Sequence, residues 1–183
     1  MRRHAQNVNL RVAERDFKYY LFDWDDNILH MPTRIHLEKR MPDGSWQPHS
    51  VSTAAFAVLR KEPERYRPPG GVWPRAFVEF QDTRGEDESR FMRDTRDALR
   101  RVLSGEIDPG PSFETLRETL REGRLFAIVT ARGHEPGSIR EAVRLFIGMV
   151  LTREEREEMM ANLRGYRACF DGMTAFGSDE QEL

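Results

Sequence analysis

The sequence has little cysteine and no long apolar run, and both shortages exclude classes of protein. Its single cysteine, Cys169, excludes an internal disulfide bond, so we expect a reducing, cytoplasmic setting. The longest apolar run, 145–151, is far shorter than the roughly 20 residues of a membrane-spanning helix, so no membrane association is expected. Residues 1–16 are charged throughout and lack the apolar region of a secretory signal.

An excess of positive charge is also missing. The 29 basic and 31 acidic residues give a formal net charge of −2. Proteins that bind nucleic acids through electrostatics are usually much more basic, so this class is disfavoured, although a local basic patch is compatible with the composition. No lysine follows Lys61, so any cation that the later part of the chain needs must be an arginine. A length of 183 residues fits one domain, or one domain with a small insertion.

Short apolar segments alternate with amphipathic ones along the chain. Segments 17–22 and 125–129 are apolar and rich in aromatic or branched side chains, which is typical of parallel strands buried on both faces. Together with the helices between them, they predict an α/β domain with a doubly wound, mostly parallel sheet. The predicted helices cover 86–103, 112–123, 139–147 and 152–165, the last opening with a capping box.

A β-hairpin is predicted between these regular elements. Residues 33–39 alternate apolar and polar side chains, Asp43 and Gly44 form a turn signal, and 46–51 can return as the second strand. We expect the hairpin to lie in an insertion, roughly 31–110, within a single domain that covers 1–183. The elements predicted after the hairpin are a helix ending at Leu59 and a strand over 76–80.

The sharpest functional signal is a group of three carboxylates, Asp23, Asp25 and Asp26, that directly follows the first strand. Side chains at the carboxyl end of a strand point into the ligand crevice of an open α/β sheet. Like charges this close together need a cation, or some must stay protonated. A hard divalent ion such as Mg²⁺ prefers these oxygen ligands. The alternative is an acidic turn that only caps the next segment.

These residues, together with the second predicted strand and Thr130 at its end, resemble two motifs of the haloacid dehalogenase-like (HAD) hydrolase superfamily. The first motif, an apolar strand followed by Asp-x-Asp, fits 22–25, and the second, an apolar strand ending in Thr or Ser, fits 126–130. The resemblance covers about 17–30 and 112–147. It implies a Rossmann-like, doubly wound fold and Mg²⁺-dependent hydrolysis of a phosphorylated small molecule.

The resemblance implies a role for each motif residue. Asp23 would be the nucleophile that forms an aspartyl-phosphate, and Asp25 the general acid and then the general base. Thr130, Ala131 and Arg132 would bind the phosphate. Mg²⁺ would lie between Asp23, the main-chain carbonyl of Asp25 and the phosphate. Family members that cleave carbon–halogen bonds lack the second aspartate, so its presence favours phosphate esters.

Two further motifs of the family are unclear in this chain. The fourth, one or two aspartates after a strand that complete the metal shell, is matched weakly by Asp179, which is the further candidate ligand of Mg²⁺, and we expect the catalytic domain to be incomplete at its C-terminus. If Asp179 is not that ligand, the chain is expected to bind Mg²⁺ weakly, to turn over slowly or not at all, and to expose a sheet edge or an apolar face through which copies can associate. The third motif is a lysine or arginine, for which the candidates are Arg132, Arg153, Arg156, Arg164 and Arg167.

Two other functions stay open. One is a HAD-like binding or regulatory module that has lost turnover, and the other is a nucleic-acid end-processing phosphatase domain, which the net charge disfavours. Asp26 stands where the family often has glycine, and it either approaches the metal or faces solvent. His134 is a candidate substrate contact, and His36 and His49 would face each other across the hairpin.

Overall fold

A computed structural model of the chain describes residues 19–81 and 88–179, with the backbone alone described for 166 and 168–179. None of the helices in these ranges is both long enough and apolar enough to cross a membrane. The strands are β1 (Tyr20–Asp23), β2 (Ile35–Arg40), β3 (Trp46–Val51), β4 (Tyr66–Arg67) and β5 (Phe126–Val129). The helices are α1 (Thr53–Leu59), α2 (Trp73–Ala76), α3 (Arg90–Leu103), α4 (Phe113–Arg121), α5 (Pro136–Val150) and α6 (Arg153–Asp179), with short 3₁₀ helices over Pro69–Gly71 and Val78–Phe80.

Strands β1 and β5 form a two-stranded parallel sheet. Tyr20 lies opposite Phe126 and Asp23 lies opposite Val129, so the carboxyl ends of the two strands coincide. Side chains alternate between the two faces of a strand. Phe22 points into the core and is 3 % exposed, whereas Val129 is 57 % exposed. The sheet is therefore covered on one face, and the expectation that both faces are buried is wrong.

The predicted doubly wound, mostly parallel sheet is also wrong. Among the strands of the described ranges, only β1 and β5 pair in parallel, and the other strands form a separate antiparallel sheet in the order β3-β2-β4. The segments expected to supply further strands are helical. Residues 76–80 follow Pro74, which opens α2, and 170–178 continue α6. Periodicity alone does not separate a short apolar strand from a short apolar stretch of helix.

The main hydrophobic core lies between the inner face of the parallel sheet and helices α3, α4 and α5. Trp24 is fully buried and packs edge-on against Phe91 of α3, with ring centroids 5.8 Å apart. Phe113 of α4 meets Phe146 of α5 with centroids 4.9 Å apart. The amphipathic faces that predict these three helices are the faces that the core buries.

A second, smaller core lies in residues 33–81, which we call the hairpin unit. The predicted hairpin is confirmed, with Ile35 opposite Val51, and Gly44 in its turn has a φ of 83°, a value that favours glycine. His36 lies opposite Ser50, whereas His49 lies opposite Leu37. The histidines thus lie on opposite faces of the hairpin, and the expectation that they face each other is wrong. The buried side chains are those of Ile35, Leu37, Val51 and Ala76.

Helix α6 begins as the sequence predicts and ends later. The backbone N–H of Thr152 donates to the Glu155 carboxylate at 2.8 Å, and the N–H of Glu155 donates to the Thr152 hydroxyl at 3.2 Å. This is the predicted capping box. The helix does not end at Gly165 but runs on to Asp179. A single internal glycine costs only about 1 kcal/mol relative to alanine, so it is a weak stop signal.

Candidate functional site

The parallel register brings the two motifs together at one edge of the sheet. Asp23 is the last residue of β1 and lies opposite Val129, and Thr130 is the next residue after Val129. The residue Asp23 is exposed, and its carboxylate accepts hydrogen bonds from the backbone N–H groups of Trp24 and Asp25. Both predicted phosphoryl-contacting side chains therefore lie where the strands end.

Burial, neighbouring charges and hydrogen bonds all affect the pKa of Asp23. Partial loss of solvent raises the pKa of its carboxyl group above the ordinary value, and the negative charges of Asp25 and Asp26 raise it further. The two backbone hydrogen bonds lower it, but they do not compensate. Asp23 therefore carries its negative charge at a cost that a nearby cation would relieve.

The Asp25 carboxylate is bound by Arg132 on both of its oxygens. The guanidinium Nε donates to Oδ2 at 2.7 Å, and Nη2 donates to Oδ1. The Arg132 side chain is 1 % exposed and that of Asp25 is 14 % exposed. Paired, parallel hydrogen bonds of this kind are among the strongest between side chains. In this arrangement Asp25 and Arg132 are bound to each other rather than turned toward a substrate.

Two aromatic rings and a histidine enclose the guanidinium of Arg132. Its central carbon lies 4.6 Å from the ring centroid of Phe80 and 5.2 Å from that of Phe91, within the range of cation–π attraction. His134 is 9 % exposed, stacks on Phe91 at 5.0 Å and lies 3.4 Å from Nη1. His134 therefore lies inside the protein, and the structure gives it no surface position for a substrate contact.

Two residues that the sequence analysis did not single out continue this network. Nη2 of Arg132 donates to the hydroxyl of Thr33 at 2.8 Å, and this hydroxyl donates to Oδ2 of Asp94 at 2.5 Å. Burial raises the pKa of Asp94, and its hydrogen bond from Thr33 and the charge of Arg132 oppose that effect. In the sequence, Thr33 begins a segment of alternating polarity, and Asp94 is one of many charged residues in a predicted helix. Neither position carries a pattern that would mark it as part of a functional site.

Asp26 approaches the hairpin unit. Its φ of 56° lies in the left-handed region, and its carboxylate accepts a hydrogen bond from Thr53, the first residue of α1. Nδ1 of His30 lies 3.1 Å from the other carboxylate oxygen. Glycine adopts a positive φ more readily than other residues do, so this backbone conformation is unfavourable for Asp26.

Gly110 and Ser112 also form hydrogen bonds with the loop after β1. Gly110 donates its N–H to the carbonyl of Ile28 at 3.1 Å, and Ser112 donates its N–H to the carbonyl of Asn27 at 2.8 Å. A Cβ on Gly110 would lie 2.6 Å from the carbonyl carbon of Asn27. Ser112 precedes α4 as predicted, but its hydroxyl donates to the Asn27 side chain at 2.6 Å instead of accepting from the helix.

The comparisons with known proteins add nothing to these motifs: no family model, curated protein or solved structure matches the chain. The resemblance to HAD hydrolases therefore rests on 22–25 and 126–130 alone. The register that sets these two segments side by side comes from the structure, independently of the resemblance.

The exposed Asp23 carboxylate is the donor at this edge that a magnesium ion shared with a substrate would use. Within 19–81 and 88–179, no three His, Cys, Asp or Glu side chains converge as a metal-binding group. Mg²⁺ often takes only one or two carboxylates from the protein and completes its shell with phosphate and water. The resemblance to HAD hydrolases implies the Asp23 carboxylate and the main-chain carbonyl of Asp25 as the protein ligands.

The remaining predicted residues lie in α6. Asp179 is its last residue, so the prediction that it follows a strand is wrong. Of the arginine candidates for the third motif, Arg132 binds Asp25. Three others donate to groups in or next to α6: Arg153 to Glu157, Arg156 to the carbonyl of Leu151, and Arg164 to that of Met160.

A surface cavity of about 330 Å³ lies away from this site. Its walls include Tyr20, the first residue of β1, and Arg124, which precedes β5. It is therefore at the amino ends of the strands, whereas Asp23 and Thr130 are at the carboxyl ends.

Proposed function

We propose that the chain hydrolyses phosphate esters of small molecules through an aspartyl-phosphate on Asp23, with Mg²⁺ as cofactor. The observation that carries the proposal is the register of β1 and β5, which sets Asp23 beside Val129 and thus next to Thr130. A carboxylate nucleophile and a hydroxyl donor at one exposed edge are the two groups that attack on phosphorus needs.

The chain's own residues would act in two steps. The Asp23 carboxylate attacks phosphorus, and the bond from phosphorus to the leaving oxygen breaks. Water then attacks the aspartyl-phosphate, releases inorganic phosphate and restores Asp23. The Thr130 hydroxyl accepts from the N–H of Arg132 at 3.2 Å, which leaves its own hydrogen for a phosphate oxygen. Mg²⁺, held by Asp23 and the Asp25 carbonyl, would neutralise charge on the phosphate.

Asp25 would transfer the proton to the leaving oxygen and later accept one from water. Each carboxylate oxygen of Asp25 accepts one hydrogen bond from Arg132 and keeps a second lone pair, so proton transfer does not require the pair to break. In this proposal the pair with Arg132 holds the acid in place.

The test is hydrolysis of p-nitrophenyl phosphate with and without Mg²⁺. Wild-type chain should release nitrophenol only with Mg²⁺, and Asp23→Asn, which keeps the shape and removes the charge, should not. Asp97→Asn is the matched control, because Asp97 is an exposed residue of α3. Equal turnover by wild type and Asp23→Asn would refute the proposed nucleophile.

The same Asp25–Arg132 pair favours a second function, a phosphate-binding or regulatory module without turnover. Both oxygens of Asp25 accept from the buried Arg132, so the pair can stabilise the loop after β1 without taking part in any proton transfer. Calorimetric titration of the wild-type chain with inorganic phosphate and Mg²⁺ separates the two functions. Binding that Asp23→Asn or Thr130→Val weakens, without nitrophenol release by wild type, would support the binding module.

A further inference from the structure

The network behind Asp25 joins three parts of the chain that are far apart in sequence. Arg132 lies in the loop after β5, Thr33 precedes β2 in the hairpin unit, and Asp94 is on α3. The Thr33 side chain is inaccessible, with the residue 2 % exposed. Water therefore competes little for these hydrogen bonds, and each is strengthened by its surroundings.

The direction of every hydrogen bond in this chain of contacts is determined. A guanidinium can only donate, so the Thr33 hydroxyl must accept from Nη2 of Arg132. Its own hydrogen then points to Asp94, whose carboxylate oxygen accepts it at 2.5 Å. Thr33 thus bridges Asp94 and Nη2 of Arg132, the nitrogen that also donates to Asp25.

Arg132 depends on these contacts for its orientation. The rings of Phe80 and Phe91 lie close to the guanidinium, but a ring face offers no directional hydrogen-bond partner. The hydrogen bond to Thr33 fixes the rotation of the guanidinium between the rings. That rotation sets where Nε and Nη2 point, and therefore where both oxygens of Asp25 are held.

We propose that Thr33 and Asp94 are positioning residues that act through Arg132 to fix the carboxylate of Asp25. The inference rests on the proposed function, because Asp25 is the acid and base of that reaction. The hairpin unit then contributes to the reaction, because its first residue, Thr33, helps to position Asp25, the general acid.

The experiment compares variants of the full chain that break or keep each contact. Thr33→Val and Asp94→Leu remove a hydrogen-bonding group at similar volume, whereas Thr33→Ser and Asp94→Asn keep one. Thr95→Val is the matched control: this neighbouring residue is fully buried, and within the described residues its hydroxyl has no hydrogen-bond partner. Circular dichroism verifies that each variant is folded.

Two readouts are needed. The first is kcat and KM for p-nitrophenyl phosphate with Mg²⁺. The second is the ¹H–¹⁵N signal of the Arg132 Nε–H group, identified by its loss in Arg132→Lys, which reports the guanidinium without any turnover. Thr33→Val and Asp94→Leu should shift this signal, speed its exchange with water, and lower kcat by roughly tenfold to a hundredfold with a smaller change in KM. Thr33→Ser, Asp94→Asn and Thr95→Val should resemble wild type.

The outcomes separate this inference from the function on which it rests. An unchanged Arg132 signal in both breaking variants would overturn it, whatever the activity. A shifted signal with unchanged kcat would also overturn it, since Arg132 would then move without consequence for the reaction. If wild type itself does not hydrolyse the ester, the proposed function fails, and the signal alone decides whether Thr33 and Asp94 hold Arg132.

Discussion

The hydroxyl of Thr53 donates to the carboxylate of Asp26, which ties the first turn of α1 to the loop after β1. Asp26 accepts this bond from a left-handed backbone conformation, with φ of 56°. The side chain and the backbone of Asp26 therefore have opposite effects on stability, because the hydrogen bond is favourable and the conformation is costly for an L-residue.

Substitutions at Asp26 should separate these two effects. Asp26→Ala loses the bond to Thr53 and keeps the unfavourable φ, whereas Asp26→Gly loses the bond and relieves the backbone. We expect the glycine variant to be about 1 kcal/mol more stable than the alanine variant, measured by urea denaturation. Equal stability of the alanine and glycine variants would contradict a left-handed φ at this position.

Gly110 should not tolerate even one additional carbon. Its Cβ would collide with the backbone of Asn27 and Ile28, which form the loop after the candidate nucleophile. Gly110→Ala should lower the free energy of unfolding by about 1–3 kcal/mol, since backbone atoms must move. Gly137→Ala is the control: Gly137 is in the first turn of α5 with open space around it, and the substitution should be neutral or slightly stabilising. Equal effects of the two substitutions in thermal melts would contradict the close approach.

Removal of Arg132 should cost more stability than removal of an exposed arginine. Arg132→Met leaves the largely buried carboxylate of Asp25 without its partner, and we expect a loss of about 3–5 kcal/mol. Arg132→Lys should recover little of it, because an ammonium group does not reproduce the paired hydrogen bonds. Arg144→Met, at an exposed pair with Glu141, should change the unfolding free energy by less than about 1 kcal/mol. A small effect of Arg132→Met in the same urea titrations would argue against the buried pair.

The capping box of α6 should make stability sensitive to acid. The N–H of Thr152 and the guanidinium of Arg117 lower the pKa of Glu155 below the ordinary value of 4.5. A lowered carboxyl pKa stabilises the fold above the unfolded value, and this stabilisation is lost as pH falls through the folded value. Glu155→Ala should therefore cost about 1 kcal/mol near pH 7, and the difference from wild type should shrink below pH 4.5. A difference that stays constant between pH 7 and pH 3 would contradict this role of the charge.

The sequence predicts those parts of the structure that short-range patterns determine. The alternation around Asp43 and Gly44 is enough to place the hairpin, and Thr152 with Glu155 is enough to begin α6. The extent of the parallel sheet is not predictable in this way, because the apolar residues of 76–80 suit a helix as well as a strand once Pro74 has opened one.

The candidate site likewise contains residues that the sequence pattern reveals and residues that it does not. Asp23 and Thr130 can be identified from the sequence because each follows a predicted apolar strand. The strand and the polar residue after it together lie within ten residues. Thr33, Asp94 and Gly110 acquire their roles only when distant parts of the chain meet, and a threonine, an aspartate or a glycine in those local contexts is unremarkable in sequence.

The single pairing of β1 with β5 also bears on how the protein folds. Tyr20 meets Phe126 only after a loop of about 100 residues has closed, and closure of so long a loop costs conformational entropy before any contact forms. The hairpin, whose strands are joined by a short turn, needs no such closure. We therefore expect local structure in the hairpin unit to form early and the edge that carries Asp23 and Thr130 to form late, so that during synthesis the two motifs stay apart until β5 has left the ribosome.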